Sequence, residues 1–275
     1  MFTYRRRYIG GVHAVVLDWA GTTVDFGCLA PAAVFQRIFA DAGVPVAVAE
    51  ARAFMGRHKR DHIEAMLAMP AIRRRWQDAH GREPGEADVD RLFADFVPKQ
   101  LAALEDNRAL IPGAVETAKE LRRRGIAIGS TSGYTHAMMN RVTESATASG
   151  YAPDAVVAVD EVRRGRPSPF MAQRAMELLD VWPAAACVKV GDTVSDVEEG
   201  LNAGMWTVSL AVSGNEVGLS LTDWQTLSPE RQQALRDTAT TRLASAGAHR
   251  VIDTIADLPP ALDAIDAALG RGEQP

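Results

Sequence analysis

The chain has 275 residues, of which 47% are hydrophobic and 24% charged, and a formal net charge of −5, an ordinary soluble composition with room for one large α/β domain or a core plus a smaller domain. The acidic balance gives no electrostatic reason to bind nucleic acid, no stretch approaches the roughly 18 apolar residues of a membrane span, and the basic start lacks the apolar run of a signal peptide. Two cysteines, Cys28 and Cys187, are too few for a disulfide framework or a zinc site and point to a reducing cytoplasm.

The first element is the apolar run Val15 to Leu17, which ends at Asp18 in "AVVLDWAGTTVD" and reads as a buried parallel strand. "PAAVFQRIFADAG" follows with Val34, Phe35, Ile38, Phe39 and Ala42 at helical spacing, Pro31 suited to the first turn and Gly43 to the stop. Residues 47–69 read as a further helix, interrupted or kinked near Gly56, and "IRRRWQDAHG" and "EADVDRLFADFVPKQLAALED" carry the helical pattern to about residue 105. From "IPGAVETAKELRRRG" onward, helices alternate with the short strands "IAIGST", "AVVAVD", "CVKVGD", "WTVSLAV" and "RVID". Alternation of this length implies βαβ units and a parallel sheet covered on both faces. The arginine runs at 5–7, 73–75 and 122–124 read as solvated faces, and the tail "GRGEQP" as frayed. The expected architecture is a doubly wound α/β core, residues 1–24 and 108–275, with a helical domain, residues 25–107, inserted after its first strand.

Ligands of open parallel sheets bind beyond the carboxyl ends of the strands. There the first strand offers Asp18, the second Ser130 to Gly133, and the fourth Gly191 and Asp192, while Arg166 in "RRGRPSP" stands just before a helix that Pro167 could open. Two carboxylates, a hydroxyl with a backbone amide and an arginine suit a phosphoryl group and one hard cation such as Mg2+, with Asp196 one helical turn beyond Asp192. Taken singly, each of these residues has a plainer reading: a strand-end Asp is most often a turn or helix-cap residue, Ser132 and Thr131 could cap the helix starting near Tyr134, and Arg166 could pair with a surface acid. Their joint occurrence at successive strand ends favours a site.

These residues resemble the haloacid dehalogenase superfamily, whose motifs are a strand-end Asp, a Ser or Thr after the next strand, a Lys or Arg before a helix, and an acidic pair like "GDTVSD". "DWAGTTVDFGC", "MGRHKRDH", "GSTSGYT", "GRPSPF" and "VGDTVSDVEEGLNAGMWTV" are similar in particular to its phosphonoacetaldehyde hydrolase (phosphonatase) family, across most of the chain. The resemblance implies Asp18 as nucleophile and Lys59 as a Schiff-base lysine. It implies Mg2+ held by Asp18, Asp192 and the Ala20 backbone carbonyl, phosphate held at Ser132 and Arg166 beside Gly133, and Asp196 supporting the acidic pair. Ser132 stands where that family often has Thr, which keeps the hydroxyl. It further implies phosphonoacetaldehyde as small-molecule substrate, a helical cap over the core and a homodimer.

Superfamily phosphomonoesterases carry a second Asp two residues after the first, which protonates a leaving alkoxide; here that position is Ala20. A carbon leaving group needs an electron sink instead, and an iminium formed between a lysine and an adjacent aldehyde supplies one. Lys59 must be partly neutral for that. Its neighbours Arg57, His58 and Arg60 are expected to lower its pKa, and His62, three residues on, to share its helix face and shuttle a proton. Cys28 and Met55 are candidates for the same cleft, though both are commonly packing residues, and a lysine seen in isolation is usually solvated. The competing readings are a phosphomonoesterase or phosphomutase of the same superfamily, which would want an acid at position 20, and a phosphometabolite-binding protein without activity.

Overall fold

The computed structural model describes residues 7–275, so Arg5 and Arg6 of the basic start lie outside the described residues. β1 (Ala14–Leu17) is fully buried and is followed by α1 (Leu29–Asp41), α2 (Val48–Arg52), α3 (Lys59–Ala68), α4 (Pro70–His80) and α5 (Glu86–Asp106). The chain then alternates through α6 (Ala114–Arg123), β2 (Ala127–Ser132), α7 (His136–Ala148), β3 (Ala155–Ala158), α8 (Phe170–Leu179), β4 (Cys187–Gly191), α9 (Val194–Ala203) and β5 (Trp206–Leu210). α10 (Leu221–Thr226), α11 (Pro229–Ser245), β6 (Arg250–Ile252) and α12 (Leu258–Gly270) complete it. All six strands pair in parallel in the order β3-β2-β1-β4-β5-β6, the doubly wound sheet expected from the alternation. Among the described residues no helix is long and apolar enough to cross a membrane.

Alternate residues of β1 feed two cores. Ala14 and Val16 pack with Val157, Met171, Ala172 and Ala175 beneath α8. Val15 and Leu17 join a larger cluster that runs through Trp19 and Val24 to Phe35, Phe39 and Phe96 of the helices between β1 and β2. Apolar packing is therefore continuous from the sheet into the helical insertion. The two crossing segments lie side by side: Val24 bridges Leu110 antiparallel, the Asp25 amide donates to the Ala109 carbonyl at 3.1 Å, and the Ile111 amide donates to the Thr23 carbonyl at 2.9 Å.

The stretch 47–69 is interrupted near Gly56 as expected, as two helices separated by a turn where Gly56 has a φ of +87° that no helix accommodates. Other local expectations are corrected. The helix placed near Tyr134 starts at His136 after Thr135, and the one placed at Pro167 starts at Phe170. "AVVAVD" leaves the strand at Ala158 and closes with a 3₁₀ turn, Val159–Glu161. The tail is tied locally, with the Glu273 amide on the Ala268 carbonyl at 3.0 Å and Gln274 Nε2 on the Tyr8 carbonyl at 3.1 Å. The arginine runs do form exposed faces as expected, with Arg73, Arg74, Arg122 and Arg123 exposed and surface pairs from Arg73 to Glu83, Arg75 to Glu50, and Arg123 and Arg124 to Glu120.

Candidate active site

Register builds the site. Leu17 lies opposite Ser130 of β2 and Val190 of β4, so the next residues along three adjacent strands, Asp18, Thr131 and Gly191, come level at the carboxyl end of the sheet. One cavity beyond these ends is lined by Asp18, Ala20, Cys28, Met55, Lys59, Ser132, Gly133, Arg166 and Asp192, with Pro31, Gly56, Tyr134 and Thr193. It measures about 20 Å3, close to the space of a single water. The insertion and the core meet tightly over it. A Cβ on Gly133 would lie 2.6 Å from the Arg57 carbonyl oxygen, and one on Gly56 would lie 2.4 Å from Thr193 Oγ1, so glycine at both positions permits the approach.

The acids differ in their surroundings. Carboxylate oxygens of Asp18, Asp192 and Asp196 lie within 4.8 Å of one another, all buried. Asp192 accepts the Asn215 amide at 2.8 Å through Oδ2, while its buried Oδ1 has no partner. Burial, with repulsion from Asp18 and Asp196, holds Asp192 well above the usual carboxylate range. Asp18 is raised too, chiefly by burial, although Arg166 Nη2 donates to its Oδ1 at 2.7 Å. Asp196 goes the other way: burial alone would raise it, but Arg166 and Lys189 outweigh that and lower it. Its oxygens are already taken, by Lys189 Nζ at 2.8 Å and Thr193 Oγ1 at 2.6 Å, which suits a supporting position better than a free ligand. A hard cation fits the remainder: an orphaned buried carboxylate oxygen and clustered acids in excess over the cations Arg166 and Lys189.

Lys59 opens α3 and is 4% exposed, unusual for a lysine. Its Nζ lies 3.9 Å from Met55 Sδ, 5.1 Å from the Tyr134 ring centroid and 5.8 Å from that of Phe35. Burial lowers its pKa, and the cation that adds to the lowering is Arg166. The sequence neighbours do not act as expected, because adjacent helix positions point apart: Arg60 pairs outward with Asp90 and Glu86, and His58 lies against Asp61. Cys28 is buried beside Lys59, and burial pushes its thiol well up. His62 does not line the cavity. Its ring lies 3.9 Å from that of Phe35, neither ring nitrogen has a partner, and burial holds it well below the usual histidine range.

Ser132 Oγ accepts the Tyr134 amide at 3.1 Å, and the Tyr134 hydroxyl accepts from Gln100 Nε2 of α5 at 3.2 Å. Tyr134 thus ties the core to the insertion while its face meets Lys59, a function the sequence reading passed over. The only signal was an aromatic inside "GSTSGYT" next to the predicted phosphate loop. Arg52, Asn215, Lys189 and Glu199 were also missed.

The family model for haloacid dehalogenase-like hydrolases matches residues 12–204. The chain belongs to that family. Among individual haloacid dehalogenase-like hydrolases, it is similar to the phosphonoacetaldehyde hydrolase of Nitratidesulfovibrio vulgaris, 47% identical over 274 residues and covering 100% of this chain and 98% of that one. It is likewise similar to the phosphonoacetaldehyde hydrolase of Hahella chejuensis, 44% identical over 274 residues with 100% and 93% covered. A crystal structure of a phosphonoacetaldehyde hydrolase-like protein from Oleispira antarctica superposes with a TM-score of 0.97 at 43% identity over 100% of both chains. Membership in this hydrolase family makes the cavity at the β1, β2 and β4 ends the place to look for hydrolytic chemistry.

Proposed function

We propose that the protein hydrolyses the carbon–phosphorus bond of phosphonoacetaldehyde to acetaldehyde and phosphate. The observation that carries this reading is a buried lysine of lowered pKa, Lys59, sharing one cavity with Asp18 and with an alanine at position 20. In the reaction we assign, Lys59 gives up a proton and its neutral amine adds to the aldehyde; that proton returns to the carbinol oxygen, which leaves as water to give an iminium. An Asp18 oxygen then bonds to phosphorus as the C–P bond breaks, and its electron pair enters the iminium to give a neutral enamine. Water cleaves the aspartyl-phosphate, releasing phosphate. Protonation of the enamine carbon and addition of water release acetaldehyde and restore Lys59, so the cycle consumes one water net. Arg166 and Ser132 hold the phosphoryl oxygens beside the Gly133 backbone. Cys28 and Met55 complete the apolar wall that keeps Lys59 dry.

His62, held well below the usual histidine range by burial, lies outside the cavity with neither ring nitrogen partnered, so this reading assigns it no proton to relay. Asp18, Asp192 and the Ala20 carbonyl would hold Mg2+, which when bound offsets the charge developing on the phosphoryl oxygens. The insertion acts as a cap that excludes water while the iminium exists. Pairing of two chains through that cap belongs to the same reading and is read by sedimentation.

The test is reductive trapping. Borohydride added during turnover of phosphonoacetaldehyde should inactivate the enzyme irreversibly and place the mass increment in the peptide containing Lys59. A phosphate ester without a carbonyl should give no label. Lys59→Arg should resist trapping and lose C–P cleavage, because a guanidinium stays protonated. A label on Lys99 or Lys119 would overturn the assignment of Lys59, and no label at all would favour the phosphatase alternative.

A further inference from the structure

Behind Asp18 lies a layer of charge to which the reaction above gives no task. Lys189 sits in the middle of β4, where a parallel sheet calls for an apolar residue, and Glu199 lies one turn past Asp196 on α9; both are at most 1% exposed. Glu199 Oε2 accepts from Arg166 Nε at 2.8 Å and from Thr131 Oγ1 at 3.1 Å, and it lies 3.3 Å from Lys189 Nζ. Lys189 in turn donates to Asp196 Oδ1 at 2.8 Å, on which Arg166 Nη1 also converges at 3.0 Å. A buried ion pair of this kind is weak support for stability, since apolar residues of similar volume serve as well. Its geometry relative to Arg166 is more telling.

A guanidinium has a planar fork of donors, and its direction is set by whatever holds its Nε edge. Here that edge is held by Glu199, while Nη2 donates to Asp18 Oδ1 at 2.7 Å and to Thr131 at 2.9 Å, and Nη1 meets Asp196 Oδ1 at 3.0 Å. The support is rigid: a Cβ on Gly200 would lie 2.8 Å from Lys189 Cβ and 2.5 Å from Thr207 Cγ2, so α9 is pressed onto β4 and β5 where the pair meets. Without the Glu199 charge, two buried cations, Arg166 and Lys189, would share only Asp196 and Asp18. We propose that Glu199 and Lys189 form a positioning pair for Arg166, in which Glu199 anchors the Nε edge and Lys189 balances Glu199 and holds Asp196, so that the Nη edge meets the phosphoryl group in one fixed orientation. This rests on the assignment of Arg166 to phosphoryl binding made above.

The experiment uses the full chain with Mg2+ and reads two halves of the site separately. Inorganic phosphate binding, measured by calorimetry and as product inhibition, reports Arg166. Borohydride labelling of Lys59 with acetaldehyde, which has no phosphoryl group, reports the lysine. In Glu199→Gln, phosphate should bind roughly 10- to 100-fold more weakly and kcat/KM on phosphonoacetaldehyde should fall in step, while the labelling rate stays at the wild-type value. The charge-balanced double variant Glu199→Gln with Lys189→Met should recover part of the phosphate affinity relative to Glu199→Gln, yet remain weaker than wild type because Nε is still unanchored. Wild-type phosphate affinity in either variant overturns the proposal, as does a loss of Lys59 labelling by the same factor as the loss of phosphate binding. If Glu199→Gln does not fold, the double variant alone decides, by the same phosphate criterion. A wild-type enzyme that binds phosphate but leaves phosphonoacetaldehyde intact would instead sink the functional reading, and the calorimetric comparison would still judge the pair.

Discussion

At position 20 a single methyl group stands where a carboxylate would make a phosphomonoesterase, and the cavity shows why the exchange is not neutral. Ala20 shares a space of about 20 Å3 with Asp18 and Asp192, which already repel one another and are both raised by burial. Ala20→Asp adds a third acid there, raising the cost of an ionised Asp18 and, in the proposed reaction, filling room for the aldehyde carbon. We expect kcat/KM on phosphonoacetaldehyde to fall by roughly a hundredfold or more, with at most weak turnover of a phosphate ester gained. An undiminished rate on phosphonoacetaldehyde would refute the leaving-group argument. At this scale the residues legible in the sequence are those at strand ends, Asp18, Ser132 and Asp192, because strand register alone brings them together. Lys189 and Glu199 were not legible, since one is hidden within an apolar run and the other within an ordinary acidic helix, and only the packing of α9 on β4 joins them. The environment of Lys59 was misread for a related reason: chain neighbours were credited with an effect that burial supplies.

Among the elements, α1 has an unusual start that couples it to pH. Its N-cap residue Cys28 makes no side-chain bond; instead Asp25 reaches forward, Oδ1 accepting the Leu29 amide at 2.9 Å and Oδ2 the Ala30 amide at 3.0 Å. Burial nevertheless pushes Asp25 up to about 6, against its ordinary 3.8. A carboxyl raised on folding contributes stability that is fully present below pH 3.8 and is lost as pH rises through 6. Asp25→Asn keeps an acceptor but cannot titrate. Urea unfolding at pH 4 and pH 7 should therefore show the wild type losing up to about 3 kcal/mol relative to the variant across that interval. A stability difference independent of pH would show that the two amide bonds fully offset burial. The sequence disclosed each strand and the helical character of the insertion, because periodicity survives in short windows. The interruption of 47–69 near Gly56 was legible too, but α10 and α11 between β5 and β6 were not, the latter amphipathic only weakly and packed through Ala239 and Leu243.

In the whole molecule, the parallel doubly wound sheet and a helical block between its first two strands followed from sequence pattern, whereas the spatial order of the strands and the way the insertion closes on the core did not, since they depend on contacts far apart in the chain. One of these contacts is Arg52 at the end of α2. Its Nη1 donates to the Gly27 carbonyl at 2.9 Å and to Asn215 Oδ1 at 3.1 Å, and its Nη2 to the Gly218 carbonyl at 3.2 Å. Asn215 is the residue whose amide holds Asp192 Oδ2, so one side chain links closure of the insertion to the orientation of an acid at the site. In the proposed reaction the insertion opens to admit phosphonoacetaldehyde to this narrow cavity, and the paired segments at Val24 and Leu110 are where we expect it to swing. Arg52→Met keeps most of the packing and removes the charged hydrogen bonds, each contributing about 1.5–3 kcal/mol when buried, which shifts the balance toward the open form. We expect kcat/KM to fall roughly 10- to 100-fold and amide exchange in residues 53–58 to quicken by a similar factor. Exchange in β1 and β4, which reports global unfolding, should stay close to wild type. Quickened exchange throughout the sheet would mean that Arg52 stabilises the fold as a whole, and unchanged exchange at 53–58 would mean that closure does not depend on it.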